Sequence, residues 1–235
     1  MLGDDLGELL GDRIPRDHSR QTLADALARP ARPARRVLDL GCGAGDSVDL
    51  FRSLDPRVEW VGADIADSAE VAARTRSDAE FVTYDGERLP FPDASFDLVF
   101  CKQVLEHTRR PEALVREAAR MLAPGGLLAG STSQLEAFHS RSIFNPTPYG
   151  VTLLAEDAGL RMTELRPGID GFTLVSWRAL GMPGFFARWW ARESPGNRLI
   201  ELGARAVRLD ARTRNQVKLT LCGQFAFLAA RPAAA

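Results

Sequence analysis

The chain has 235 residues, of which 45% are apolar and 26% charged, with a formal net charge of −1 at pH 7. This length suits one α/β domain with a modest addition, and the composition excludes general disorder. The near-zero charge offers no global attraction to nucleic acid or anionic lipid, so any such contact must come from a local patch. Cys42, Cys101 and Cys222 are odd in number, far apart and without zinc-ligand spacing, so neither a disulfide framework nor a metal site is expected. The acidic residues Asp4, Asp5, Glu8 and Asp12 break up the N-terminal leucines, and no uncharged stretch is long enough to span a bilayer. A soluble protein of a reducing cytoplasm is expected. Lys102 and Lys218 are the only lysines in an arginine- and alanine-rich chain, a bias of GC-rich and mainly bacterial coding.

In chain order, residues 1–34 read as a helical preface, with Ser19 placed to cap a helix from Arg20 to Ala28 ahead of Pro30 and Pro33. From Arg36 to about Ser133, short apolar runs alternate with amphipathic ones. Strands are expected at Val37 to Leu40, Glu59 to Ala63, Phe81 to Tyr84, Phe96 to Cys101 and Leu127 to Ser131. Helices are expected near Asp46 to Leu54, Ser68 to Arg76 and Pro111 to Leu122, the last stopped by Pro124-Gly125-Gly126. Such alternation implies right-handed crossovers and a parallel sheet covered on both faces. A helix from Pro148 to Ala158 leads to a strand from Arg161 to Leu165, and the last strand is Gln224 to Ala229. The domain division is then 1–34 as preface, 35–170 with 220–232 as core, and 171–219 as a helical insert rather than a loop.

The run Val37-Leu38-Asp39-Leu40-Gly41-Cys42-Gly43-Ala44-Gly45 is a buried strand entering a glycine turn and then a helix, which brings backbone close to a ligand. A dinucleotide fingerprint needs a third glycine where Asp46 stands, and a carboxylate there repels pyrophosphate. Acidic groups instead suit a ligand with a sulfonium, an ammonium and a single carboxylate, and Asp39 meets that demand. Asp64 closes the second strand one βαβ unit downstream, where a carboxylate accepts ribose hydroxyls. Asp85-Gly86 ends the third strand near an expected adenine amino group, with Ile65 and Leu89 placed to sandwich the base.

These residues, together with Leu89-Pro90-Phe91, Ser95-Phe96-Asp97-Leu98-Val99, Val104-Leu105-Glu106-His107 and Met121 to Leu127, resemble the class I methyltransferases, in particular their ubiquinone and menaquinone methylating branch. The resemblance implies S-adenosylmethionine as cofactor. It also implies a Rossmann-like, mostly parallel seven-stranded sheet with an antiparallel last strand, and Gln103 at the methionine end of the pocket. Cofactor binding is thereby expected at Asp39, Gly41, Gly43, Gly45, Asp64, Ile65, Asp85, Gly86 and Gln103.

For proton transfer the candidates are His139, in a polar loop after the fifth strand, and His107, just beyond the fourth. His107 also reads as a helix-start or packing residue. Tyr149 is placed to line the same pocket, and His18 belongs to the preface. The 171–219 insert mixes Trp177, Phe185, Phe186, Trp189 and Trp190 with many arginines, and reads as a small core, a substrate lid, a membrane-surface helix or a dimer contact. The expected reaction is in-line methyl transfer to a hydroxyl oxygen of a sugar, natural product or quinone-like small molecule, with no metal and no nucleic acid partner. The alternatives are a nucleic-acid methyltransferase, for which no base-flipping motif is present, a nicotinamide oxidoreductase, and a noncatalytic cofactor-binding partner protein.

Overall fold

Period-2 alternation sorts the strand residues onto two faces, and the helices that follow each strand cover both. In the computed structural model, which describes residues 6, 8–10, 26, 35–136, 141–190 and 192–233, strands β1 (Arg36–Leu40), β2 (Glu59–Ile65), β3 (Glu80–Tyr84) and β4 (Phe96–Lys102) pair in parallel. β5 (Leu122–Ser133) adds to β4 in parallel, and β7 (Gln224–Ala230) inserts antiparallel between β5 and β6 (Arg161–Pro167). The seven-stranded order is β3-β2-β1-β4-β5-β7-β6. β1 and β4 run parallel, but the order of strand addition switches sides between them, so their carboxyl ends open a crevice where open α/β sheets bind ligands.

On one face Leu38, Leu40, Val61, Val99 and Phe225 pack under Leu114 and Val115 of α3 (Pro111–Met121) and Val151 of α4 (Pro148–Asp157). On the other, Val37, Trp60, Leu98 and Phe100 pack under Val48 and Phe51 of α1 (Ser47–Leu54), with Phe51 edge-on to Phe100 at 5.5 Å. Asp39 shares the Val37 face by alternation and therefore lies beneath the start of α1.

Two boundaries differ from the sequence reading. The helix expected over Ser68 to Arg76 shrinks to α2 (Ala69–Ala72), capped by Ser68, because Arg74 leaves the helical path to bind the carbonyl of Gly43. Pro124-Gly125-Gly126 does not separate helix from strand, since Leu122 already pairs with Phe96 and the register slips before Leu127.

After β6 come α5 (Gly171–Ala179), a 3-10 turn over Gly184–Trp189, α6 (Pro195–Ala206) and α7 (Ala211–Leu221). They are joined through polar side chains. Asp170 accepts from Thr173 N–H at 2.8 Å and from Gly196 N–H at 3.1 Å, tying the starts of α5 and α6 together. Lys218 of α7 is buried and ion-paired with Glu193 at 2.7 Å and Glu201 at 3.0 Å. Of the preface, Leu6 and Leu10 are buried in the core, and Leu10 bridges Leu165 of β6, covering the far edge of the sheet. The Ser19-capped helix lies outside the described residues, apart from Ala26, which is buried against the α1 face.

Candidate active site

The glycine turn after β1 is fixed by both conformation and space. Gly41, Gly43 and Gly45 have φ of +75°, +51° and +87°, and a Cβ on Gly41 would stand 2.4 Å from Val104 Cγ2. Val104 lies two residues beyond the end of β4, so the turn and the residues after β4 touch. The Gly41 N–H donates to the Ala63 carbonyl at 2.8 Å, and the Gly43 N–H donates to Asp64 Oδ2 at 2.7 Å, while Asp64 Oδ1 accepts from Ile65 N–H at 2.7 Å. Arg74 donates to the Gly43 carbonyl and lies 3.8 Å over the Phe81 ring, clamping the turn from outside. The sequence reading missed this role for Arg74, because no local pattern ties it to a turn thirty residues earlier.

Asp39 is buried and accepts a hydrogen bond from the Ser47 hydroxyl, which itself accepts from Trp60 Nε1 at 2.9 Å. Burial pushes Asp39 up to about 7, the Ser47 hydrogen bond and Lys102 oppose the shift, and Asp64 and Asp46 add to it. Asp39, Asp46 and Asp64 thus make the turn a place for a cation. The turn amide that a phosphate would need, that of Gly43, already serves the Asp64 carboxylate.

Asp85 folds over its own turn, accepting from the N–H groups of Glu87 and Arg88 at 2.9 and 3.0 Å, and these bonds hold its carboxyl below the usual range. Gly86 has φ +86°, and a Cβ there would lie 3.7 Å from Ile65 Cγ2, so Ile65 and Gly86 adjoin. Leu89 is corrected. It is buried in the core with 2% exposure and has no face to offer an adenine, since the Asp85 turn directs it inward.

Gln103 has φ +55°, a conformation that non-glycine residues keep only where surroundings impose it. Its N–H donates to the Ser131 carbonyl at 2.8 Å. The amide orientation that satisfies both its ends donates to Glu106 Oε1 at 3.0 Å and to Ser133 Oγ at 2.9 Å, and accepts from Ser131 Oγ at 3.2 Å. Glu106 is fully buried and accepts from Thr132 Oγ1 at 2.8 Å.

From Gln103 a cavity of about 510 Å³ extends over the carboxyl end of β5 and the start of β7. Its floor includes Ser131, Gln224 and Phe225, and its roof comes from Trp177, Met182 and Trp190. Trp177 and Trp190 meet edge to face at 4.8 Å. Glu136 at the rim is held by Arg178 Nε at 3.0 Å, Gln224 Nε2 at 2.9 Å and the Ser133 hydroxyl at 3.0 Å, which joins α5 to the end of β5. Ser131-Thr132-Ser133, a polar run closing an apolar strand, was the legible signal for this floor, and the sequence reading passed over it.

His107 ends a 3-10 turn at Leu105–His107 with its N–H on the Val104 carbonyl at 3.0 Å, and neither it nor Tyr149 is among the residues lining the cavity. His139 and His18 lie outside the described residues. Among the described residues no cluster of His, Cys, Asp and Glu suits a metal, and no helix is long and apolar enough to cross a membrane.

A Rossmann-like sheet in this strand order, with a cation-favouring glycine turn and a walled cavity beside it, defines a class I methyltransferase. The methyltransferase domain family matches residues 38–130. The chain is 33% identical over 209 residues to the 27-O-demethylrifamycin SV methyltransferase of Amycolatopsis mediterranei, covering 75% of this chain and 76% of that one. It is 40% identical over 105 residues to the ubiquinone/menaquinone biosynthesis C-methyltransferase of Ectopseudomonas mendocina, 41% of each chain. The structure of Burkholderia thailandensis 1,6-didemethyltoxoflavin N1-methyltransferase superposes with a TM-score of 0.55 at 16% identity, over 92% of this chain and 80% of that one, a likeness of fold. The chain spans about half the length of several of its curated relatives, 41%, 56% and 53% in three of them. It belongs to the S-adenosylmethionine-dependent class I methyltransferases.

Proposed function

We propose that the chain transfers the methyl group of S-adenosylmethionine to a hydroxyl oxygen of a small amphipathic acceptor held in the cavity beneath α5 and the 3-10 turn. The observation that carries this reading is the continuity from Gly41 through Val104 and Gln103 into that cavity. The relative matched over most of its length is named for an O-demethylated rifamycin, which favours oxygen as the methylated atom.

In this reading Asp39 and the Gly41, Gly43 and Gly45 backbone receive the methionine end, and Gln103 borders it. Asp64 accepts the ribose hydroxyls with lone pairs left over from its two amide bonds. Ile65 and Gly86 hold the adenine edgewise, and Asp85 faces its amino group. When bound, the cofactor supplies an electrophilic methyl group on a sulfonium. The Trp177 and Trp190 rings bury the apolar body of the acceptor and exclude water, while Ser131 and Gln224 orient its hydroxyl. Such positioning supplies up to about 7 to 11 kcal/mol of the barrier reduction. His139, three residues beyond the rim residue Glu136, accepts the hydroxyl proton, a contribution of about 10²- to 10⁴-fold, and His107 takes no part in that transfer.

Calorimetric titration with S-adenosylmethionine, its demethylated product and NAD tests the cofactor. The first two bind and NAD does not, and the reverse result ends the reading. Single-turnover methyl transfer to a panel of hydroxylated acceptors then compares His139→Ala with His107→Ala. Loss in the first alone is expected, loss in the second alone moves the base to His107, and full activity in both leaves positioning as the whole mechanism.

A further inference from the structure

Helix α6 carries its apolar stripe on the side that faces away from the protein. Its inward side is Asn197, Glu201 and Ala204, whereas Leu199 and Leu202 are 71% and 69% exposed and share an i, i+3, i+7 stripe with Ala206. Beyond its end Val207 is 68% exposed, and beside its start lies the 3-10 turn with Phe185 at 58%. A helix that only shielded the sheet would show the opposite arrangement.

Charge on this face is sorted as well. Two of the segment's acids, Glu193 and Glu201, turn toward buried Lys218, with Arg205 and Arg214 also on Glu201, and Asp210 caps α7 through the Thr213 N–H. Among the described residues Arg188, Arg192, Arg198, Arg208 and Arg212 are left without an acidic partner. Arg188 lies 4.7 Å and Arg198 5.3 Å from the Trp189 ring centre, so the turn and α6 form one continuous surface of leucine, aromatic and guanidinium groups.

We propose that this surface, the outer face of α6 with the adjoining 3-10 turn, docks on an anionic phospholipid bilayer. Leu199, Leu202 and Phe185 enter the boundary of the acyl region, and the arginines meet lipid phosphates while their stems stay apolar. A nucleic acid would satisfy the arginines but leave the leucines nothing to bury against. A second copy in a twofold contact would set Arg188 and Arg198 against their own counterparts. Gly184 and Ala187 of the turn line the cavity while Phe185 and Arg188 face out, so docking holds the cavity next to lipid. The proposal stands whether or not the acceptor assignment does.

The test is sedimentation of the purified chain with vesicles of phosphatidylcholine alone or with about one-third phosphatidylglycerol. Binding is expected to be at least about tenfold stronger on the anionic vesicles and to fall with salt. Leu199→Asn with Leu202→Asn should weaken it about tenfold or more, and Arg198→Gln with Arg208→Gln should abolish the preference for anionic lipid. All four positions are exposed, so circular dichroism and cofactor affinity stay unchanged and report an intact fold. No binding to anionic vesicles overturns the proposal, as does wild-type binding by both double variants. A dimer lost on the leucine substitutions, or RNA binding indifferent to them, with no vesicle binding in either case, reassigns the face and overturns it too.

Discussion

At the residue scale the site turns on a few groups whose neighbours change their chemistry. Asp39 is the clearest. Its folded chain keeps a proton up to about pH 7, while the unfolded chain releases it near the ordinary 3.8. Between those values the folded state binds the extra proton, so Asp39 favours folding on the acid side and that contribution is lost as pH rises through about 7. A cationic ligand needs the ionised carboxylate and has the opposite dependence. Cofactor affinity is therefore expected to rise about tenfold between about pH 6 and about pH 8, and Asp39→Asn should flatten the profile. Calorimetry across that range checks it, and equal slopes in wild type and variant would show that another group sets the dependence.

At the scale of elements, two glycines with nearly the same backbone separate conformational strain from crowding. Gly41 has φ +75° and would drive a methyl group into Val104, whereas Gly125 has φ +78° with nothing within 4 Å of the added atom. Gly125→Ala is expected to cost only the left-handed strain, about 1 to 2 kcal/mol, and to leave cofactor affinity intact. Gly41→Ala pays that strain and also separates the turn from the end of β4, so it should lose cofactor binding as well. Thermal denaturation alongside titration distinguishes the two, and an unaltered affinity in Gly41→Ala would remove the contact with Val104 from the description of the site. The same contact explains why Gln103 matters, since the residue before Val104 is held at φ +55° by Ser131 on the neighbouring strand.

Across the whole molecule the sheet is held by apolar packing on both faces, and the helices after β6 rely on buried polar bonds. Lys218 has 1% exposure and two carboxylate partners from elsewhere in the segment. Lys218→Met leaves Glu193 without its cation and Glu201 with Arg205 and Arg214 alone, and should destabilise the region by roughly 3 kcal/mol. Hydrogen exchange is expected to speed up across α5 to α7 while amides of β1, β4 and β5 remain protected. Uniform acceleration throughout would show instead that the helices and the sheet unfold as one unit.

Within residues 36–133 nearly every element was legible, because apolar runs of period 2, amphipathic helices and glycine punctuation are local properties of the chain. Asp39, the three turn glycines and Asp64 could be singled out as candidates for the same reason, as each occupies a fixed offset from a strand end. The structure decided what depends on distant partners. Leu89 went inward through the Asp85 turn, and Arg74 broke a helix to reach Gly43. Ser131, Glu136, Gln224 and Trp177 became one cavity although nearly a hundred residues separate the first from the third. Composition also concealed the character of the last helices, since nothing local indicates that Glu193 and Glu201 turn inward to Lys218 and leave leucines and arginines outside. Periodicity fixes which residues share a face of a helix, and only packing determines which face meets the protein.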